Sequence, residues 1–169
     1  MAILEIIQYP NPILSTKTKP VKSFDDHLQK IIDDMFETHY AQKGCAALAA
    51  NQLGIPYQIT VIDFSDERDQ PLCLINPEII ETHGETNTHE GCMSLLDVGY
   101  HRVKRAEKIK VKALDRHGKE IIIDADGFLA KCIQHEIDHL NGMVYIDRLG
   151  AVKRKLVVTK VNKLRKKKS

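Results

Sequence analysis

No stretch of this 169-residue chain approaches the roughly 20 consecutive apolar residues that a membrane helix needs. The first residues lack the basic-then-apolar pattern of a secretory signal, and the Arg-rich, acid-poor character of an organelle transit peptide. Four cysteines, Cys45, Cys73, Cys92 and Cys132, form no C-x-x-C pair and are too sparse for a disulfide framework. Internal repeats and linker-like stretches are also absent. These absences leave a reduced, cytoplasmic chain folded as one domain, large enough to bury a core without staples.

Acidic residues are missing altogether from one end. Between Gly150 and Ser169 lie nine of the 25 Lys and Arg residues and none of the 23 Asp and Glu residues. The remaining 16 bases face all 23 acids, so an acidic body carries a basic tail. That asymmetry suggests a polyanionic partner for the tail; a solubilising terminus is the alternative.

What is present centres on Gln134-His135-Glu136-Ile137-Asp138-His139. On a helix, residues four apart lie on one face. His135 and His139 can then reach one metal ion, with Glu136 beside them as general base for a water that the ion acidifies. Phe128, Leu129, Cys132, Ile133, Ile137 and Leu140 make the surrounding helix, Gly127 to Asn141 with Gly142 as its stop, broadly apolar. The histidines are therefore expected to be buried. A catalytic site of this type needs a third protein ligand. Downstream of His139 there is no histidine, and Tyr145 stands where the H-E-x-x-H-x-x-G-x-x-H pattern would require one. The ligand should come from upstream, where Cys92 in Glu90-Gly91-Cys92-Met93-Ser94 leads Cys132 by a modest margin. His83, His89, His101 and His117 are weaker candidates.

Elsewhere, apolar spacing predicts a helix over Asp25–Lys43, opened by a capping box of Ser23 and Asp26 and stopped by Gly44. A short N-terminal strand around Ile3–Ile7 is followed by a Pro-rich wrap. The small, uncharged run Cys45–Gly54 is either a short packed helix or a place where another backbone or a ligand comes close. Strands are expected over Tyr57–Phe64 and Leu72–Ile75, with a further short one at Ile79-Ile80. His83–Thr88 reads as a loop, and Glu107–Leu114 with Glu120–Asp124 as a hairpin. Another helix begins at Val152, with Leu156, Val157, Val161 and Leu164 among its basic residues.

Three segments together resemble the peptide deformylase family: Cys45-Ala46-Ala47-Leu48-Ala49-Ala50-Asn51-Gln52, Glu90-Gly91-Cys92-Met93-Ser94, and Gln134 to His139. Tyr9-Pro10-Asn11-Pro12 and Arg105-Ala106-Glu107 fit as well, so the resemblance runs to about residue 150. It implies an α+β fold: antiparallel sheets around a central metal-binding helix, with an N-terminal helix and a basic C-terminal helix. Residues 1–150 would form one catalytic domain and 151–169 a basic helix or tail. The implied reaction removes the N-formyl group from the first methionine of new polypeptides. By the same resemblance Cys92, His135 and His139 bind the metal, natively Fe(II), with zinc, nickel or cobalt able to substitute. Glu136 would be base and then acid, while the Gln52 amide and the Met93 N–H stabilise the oxyanion. Ala47, Gly91 and Leu95 would line the substrate path. The implied partners are formylmethionyl nascent peptides and, through the tail, ribosomal RNA, for a monomeric protein away from membranes.

Two departures stand out. Cys45 and Ala47 replace both glycines of the family's first segment. If either site needs a positive φ, the added Cβ costs about 1–2 kcal/mol. The loop Leu95–His101 also lacks a proline common in relatives. A zinc peptidase and a catalytically weak binding paralogue are the rival readings of the same residues.

Overall fold

A computed structural model of the chain describes residues 2–168. Five strands form one antiparallel sheet in sequence order: β1 (Ala47–Ala49), β2 (Ile59–Ile62), β3 (Leu72–Glu90), β4 (His101–Leu114) and β5 (Glu120–Asp126). Three helices accompany them: α1 (Asp26–Ala41), α2 (Gly127–Leu140) and α3 (Ala151–Lys168). The chain is α+β, as expected, with α2 packed on the sheet. Ala130, Cys132 and Ile133 of α2 share a buried cluster with Ile62, Leu74, Ile109 and Val111 from the strands.

The hairpin turn at Asp115–Lys119 is where the sequence places it, with Leu114 opposite Glu120. Three other expectations need correction. The segment His83–Thr88 is not a loop but part of β3, paired through Glu85–Ala106 and Thr88–Val103. That end of the β3–β4 ribbon is exposed, so backbone pairing holds it without the apolar alternation that announces a strand. Residues 3–7 form no strand; they run as an extended strap, tied by Ala2 N to Asp34 Oδ1 at 2.7 Å and Leu4 N to Thr38 Oγ1 at 2.8 Å. The cap of α1 is Asp25, not Ser23, and its carboxylate accepts from Leu28 N at 2.9 Å.

The run Cys45–Gly54 is not one helix. It makes the edge strand β1 and then a 3₁₀ turn, Ala50–Leu53. Among the described residues, positive φ at non-glycine positions occurs only at Arg68 and Asn76. Cys45 and Ala47 therefore sit in ordinary backbone, and the two lost glycines impose no strain here. Asn76, by contrast, lies at a β-bulge of β3, where its side chain accepts from Val21 N and donates to Val21 O.

The C-terminal helix is packed onto the body. Val157 and Val161 are buried in the same cluster as Cys92, Leu95, Val98, Tyr145 and Ile146, whereas Leu156 points outward, 67% exposed. Truncating Val161 to alanine should cost about 1.5–3 kcal/mol, the value of fully burying such a side chain. Denaturant unfolding checks this: an unchanged midpoint would mean that α3 does not contribute to the cooperative fold.

Candidate metal centre

Helix α2 sets His135 above His139, with ring centroids 5.0 Å apart. Its end is fixed from outside, because Asn51 Nδ2 donates to His139 O at 2.5 Å and Thr18 Oγ1 to Leu140 O at 2.8 Å. Its middle is docked to β4 by Gln134, whose amide accepts from Ala106 N and donates to Ala106 O, both at 2.9 Å. The third candidate arrives from the end of β3. Gly91 allows the approach, since a Cβ there would come within 2.8 Å of the Tyr100 ring. Cys92 Sγ then lies 3.3 Å from His139 Nε2.

Cys92, His135 and His139 are all buried and their ligand atoms lie within 4.8 Å of one another. One thiolate and two imidazoles at this separation suit a divalent transition metal. Cys132 lines the same cavity but stands outside this group, its thiol pushed up to about 12 by burial. His83, His89, His101 and His117 are likewise not in it; His101 Nδ1 instead pairs with Tyr145 Oη at 2.9 Å.

The rings are oriented by neighbours. His135 Nδ1 meets Glu90 Oε1 at 2.8 Å, which leaves Nε2 for the cluster. Glu90 is itself held by Arg105 Nε and Nη2, at 2.7 Å each, and Arg105 Nη1 continues to Asp138 Oδ2 at 2.6 Å. Burial would raise the Glu90 carboxyl, but the Arg105 and His135 hydrogen bonds outweigh it and hold it well below the carboxylate range. Burial pulls the His135 imidazole down, yet its bonds to Cys92 and Glu90 prevail and raise it to about 10. His139 is driven well below its ordinary value by burial and by the charge of His135. A shared cation would remove the His135 proton, because the ligating nitrogen cannot carry both.

Glu136 is 3% exposed. Its Oε2 is buried without a hydrogen-bond partner, and burial raises its carboxyl to about 7. Such an oxygen is costly unless something polar meets it. Gln52, from the 3₁₀ turn, is aligned by its own oxygen, which accepts from Ala49 N at 2.9 Å. Its Nε2 therefore faces Ser94 Oγ at 3.1 Å and Cys92 Sγ at 3.6 Å. A cavity of about 280 Å³ opens over this group, lined by Ala47, Gln52, Gly91, Met93, Cys132 and Glu136 among others.

A model of the polypeptide deformylase family matches residues 3–155. The chain belongs to the polypeptide deformylase family. It is 56% identical over 166 residues to peptide deformylase 1 of Coxiella burnetii, covering 97% of this chain and 98% of that protein. The peptide deformylase of Chromobacterium violaceum is 51% identical over 166 residues, covering 98% of each. A crystal structure of a peptide deformylase from Legionella pneumophila superposes with a TM-score of 0.91 at 42% identity, covering 99% of this chain and 98% of that one. As a metal-dependent deformylase, the enzyme removes the N-formyl group from nascent polypeptides.

Within that family frame, Ala47 and Gly91 line the cavity, but Leu95 does not. Leu95 is fully buried in the core cluster with Cys92 and Tyr145, and its neighbour Leu96, 59% exposed, faces the cavity instead. Leu95 stands immediately before the 3₁₀ turn Leu96–Val98, which Leu96 opens. Glu90, Arg105 and Asp138 were given no role by motif reasoning. A usable signal existed: Val103 and Arg105 share the inward face of β4, and an inward arginine demands buried acids. Cys45 is buried at the cavity wall, its thiol raised to about 12 by burial, donating to Ala47 O at 3.4 Å with His39 Nδ1 3.2 Å from its sulfur.

Proposed function

We propose that Cys92, His135 and His139 hold a divalent cation, Fe(II) natively, and that Glu136 is the proton carrier of deformylation. The observation that carries this is the buried, unpartnered Glu136 Oε2 beside a Cys-His-His donor set. A cation bound there supplies Lewis acidity, making water acidic enough to lose a proton near neutral pH. Glu136 accepts that proton and returns it to the amine leaving as the formamide C–N bond breaks, so formate and a free N-terminus result. The Gln52 amide and the Met93 N–H donate to the carbonyl oxygen as it gains charge.

Formate release from formyl-Met-Ala-Ser, by protein purified anaerobically with Fe(II), tests the reading. Turnover lost on chelation and restored by Fe(II) supports it; a metal-loaded protein that releases no formate overturns it. The iron assignment fails separately if zinc-loaded protein is as fast and equally stable to air. Gln52→Leu should lower kcat by about 10²–10³ with KM little changed, as when one oxyanion donor is removed. Equal losses in kcat and in metal content would instead make Gln52 a support for the ligands.

The catalytic residues all fall within 1–150. Residues 151–169 carry the second part of the proposal, contact with ribosomal RNA. With Val157 and Val161 anchored inward, Lys153, Lys155, Lys160 and Lys163 are exposed along α3. Ribosome co-sedimentation that weakens steeply with salt and disappears when these four become glutamine is the expected result. We further place the protein in the cytoplasm as a monomer; among the described residues, no helix is long and apolar enough to cross a membrane. Sedimentation at micromolar concentration decides the oligomeric state.

A further inference from the structure

The two donors assigned above to the oxyanion sit on different segments, Gln52 on the 3₁₀ turn Ala50–Leu53 and Met93 on the turn after β3. The Met93 N–H shares one planar peptide with the Cys92 carbonyl and points the opposite way. Leu95 N donates to that carbonyl at 2.8 Å, so a β-turn from Cys92 to Leu95 sets the direction of the N–H. The carbonyls of the two central residues, Met93 and Ser94, take their donors from outside the turn.

Those donors belong to the N-terminal strap. Gln8 Nε2 donates to Met93 O at 3.0 Å and Tyr9 N to Ser94 O at 3.1 Å. One residue earlier, Ile7 N donates to Gln52 O at 2.7 Å. Three consecutive residues thus bridge the two donor segments. The strap belongs to no strand, so no ladder of backbone bonds holds its register, and Pro10 has no N–H to add. Burial of the Tyr9 side chain among Cys92, Leu95, Val98 and Val161 brings it to this place. A second hold comes from α3. Arg165 Nε donates to Tyr9 O at 2.7 Å, and Nη1 pairs with the Asp97 carboxylate in the 3₁₀ turn Leu96–Val98. Their side chains are 21% and 25% exposed, which shelters the pair from screening in part.

We infer that the strap Ile7–Tyr9 positions the oxyanion donors, with Gln8 and Arg165 as the side chains that hold it in place. This rests on the deformylase reading of the site and on the Gln52 and Met93 roles proposed within it. Both are positioning residues: they act through Met93, Tyr9 and Asp97, and neither lines the cavity over the metal centre. A loosened donor weakens a contact to charge that develops only in the transition state. The loss therefore falls on kcat, and KM stays.

The test measures formate release from formyl-Met-Ala-Ser by the metal-loaded parent, Gln8→Ala, Arg165→Met and Val161→Ala. The parent reads the underlying activity alone; without its turnover the deformylase reading itself fails. With that turnover in hand, kcat should fall about three- to tenfold in Gln8→Ala and in Arg165→Met, a fraction of the roughly 10²–10³ lost with a whole oxyanion donor. KM should be kept, with one metal ion per chain. Gln8 is exposed, so its variant keeps the fold and reads the inference even where Arg165→Met does not. Val161→Ala loosens the packing of α3 but leaves the Arg165 bonds in place, and should keep the parent's kcat. A parent-like kcat in folded Gln8→Ala or Arg165→Met overturns the inference. So does a loss that Val161→Ala shares, or one that appears in KM or in metal content.

Discussion

Replacing Glu136 with glutamine should lower kcat for formate release by roughly 10²–10⁴ while the protein still binds one metal ion per chain. The side chain keeps its shape, and the Cys92, His135 and His139 donors are untouched. What is lost is the capacity to accept a proton, so kcat falls and KM stays. The pH profile carries the same information. Burial raises the Glu136 carboxyl to about 7, and only its ionised form is a base. In the parent enzyme kcat/KM should therefore fall as pH drops through an acid limb. A bound cation favours the carboxylate and moves that limb below 7. Glutamine does not titrate, and the residual activity of the variant should lack the limb. Metal analysis, kcat and the pH profile are measured on the same preparations. A variant that keeps the parent's kcat would remove Glu136 from the proton transfer.

The site was legible in the sequence where one element carries its own spacing. Two histidines four apart on an apolar helix determine their mutual geometry whatever surrounds them, and α2 runs from Gly127 as the pattern indicates. Cys92 was harder, since 43 positions separate it from His135 and no local rule measures that distance. Its advantage over Cys132 comes from β3 ending at Glu90, which delivers the loop beside His139. Leu95 was misplaced because nothing in Leu-Leu distinguishes the residue that is buried from its exposed neighbour at the start of a 3₁₀ turn. The strand His83–Thr88 escaped for a related reason. It is stabilised by pairing with β4 alone, so its side chains were never under pressure to alternate. Patterns of burial report only on segments that are buried.

Arg105→Met should destabilise the fold by about 3–5 kcal/mol, the cost of leaving buried charges uncompensated. Arg105 is 1% exposed at its side chain, and it lies between Glu90 at 0% and Asp138 at 7%. Asp138 keeps a second partner, because Arg148 Nε and Nη2 bond both its oxygens at 2.5 and 2.7 Å. Glu90 keeps only Thr88 Oγ1, at 2.8 Å, and His135. The larger part of the loss therefore falls on Glu90. Lysine at position 105 should not restore it, since a single ammonium cannot reproduce the paired contact to Glu90 together with the reach to Asp138. The pH dependence has a definite sign. In the parent, the folded-state pKa of Glu90 is depressed. Its contribution to stability is complete above the unfolded value of about 4.3 and fades as pH falls through the lower folded value. Without Arg105 the folded value rises, so protonation relieves the variant first. The stability gap between parent and variant should be widest near neutral pH and narrow as pH drops through the ordinary carboxylate range. Because Glu90 also orients His135, metal affinity should fall by about 10–100-fold in the same variant. A variant that loses stability but binds metal as tightly as the parent would separate the two roles. It would show that Glu90 holds His135 in place without help from Arg105.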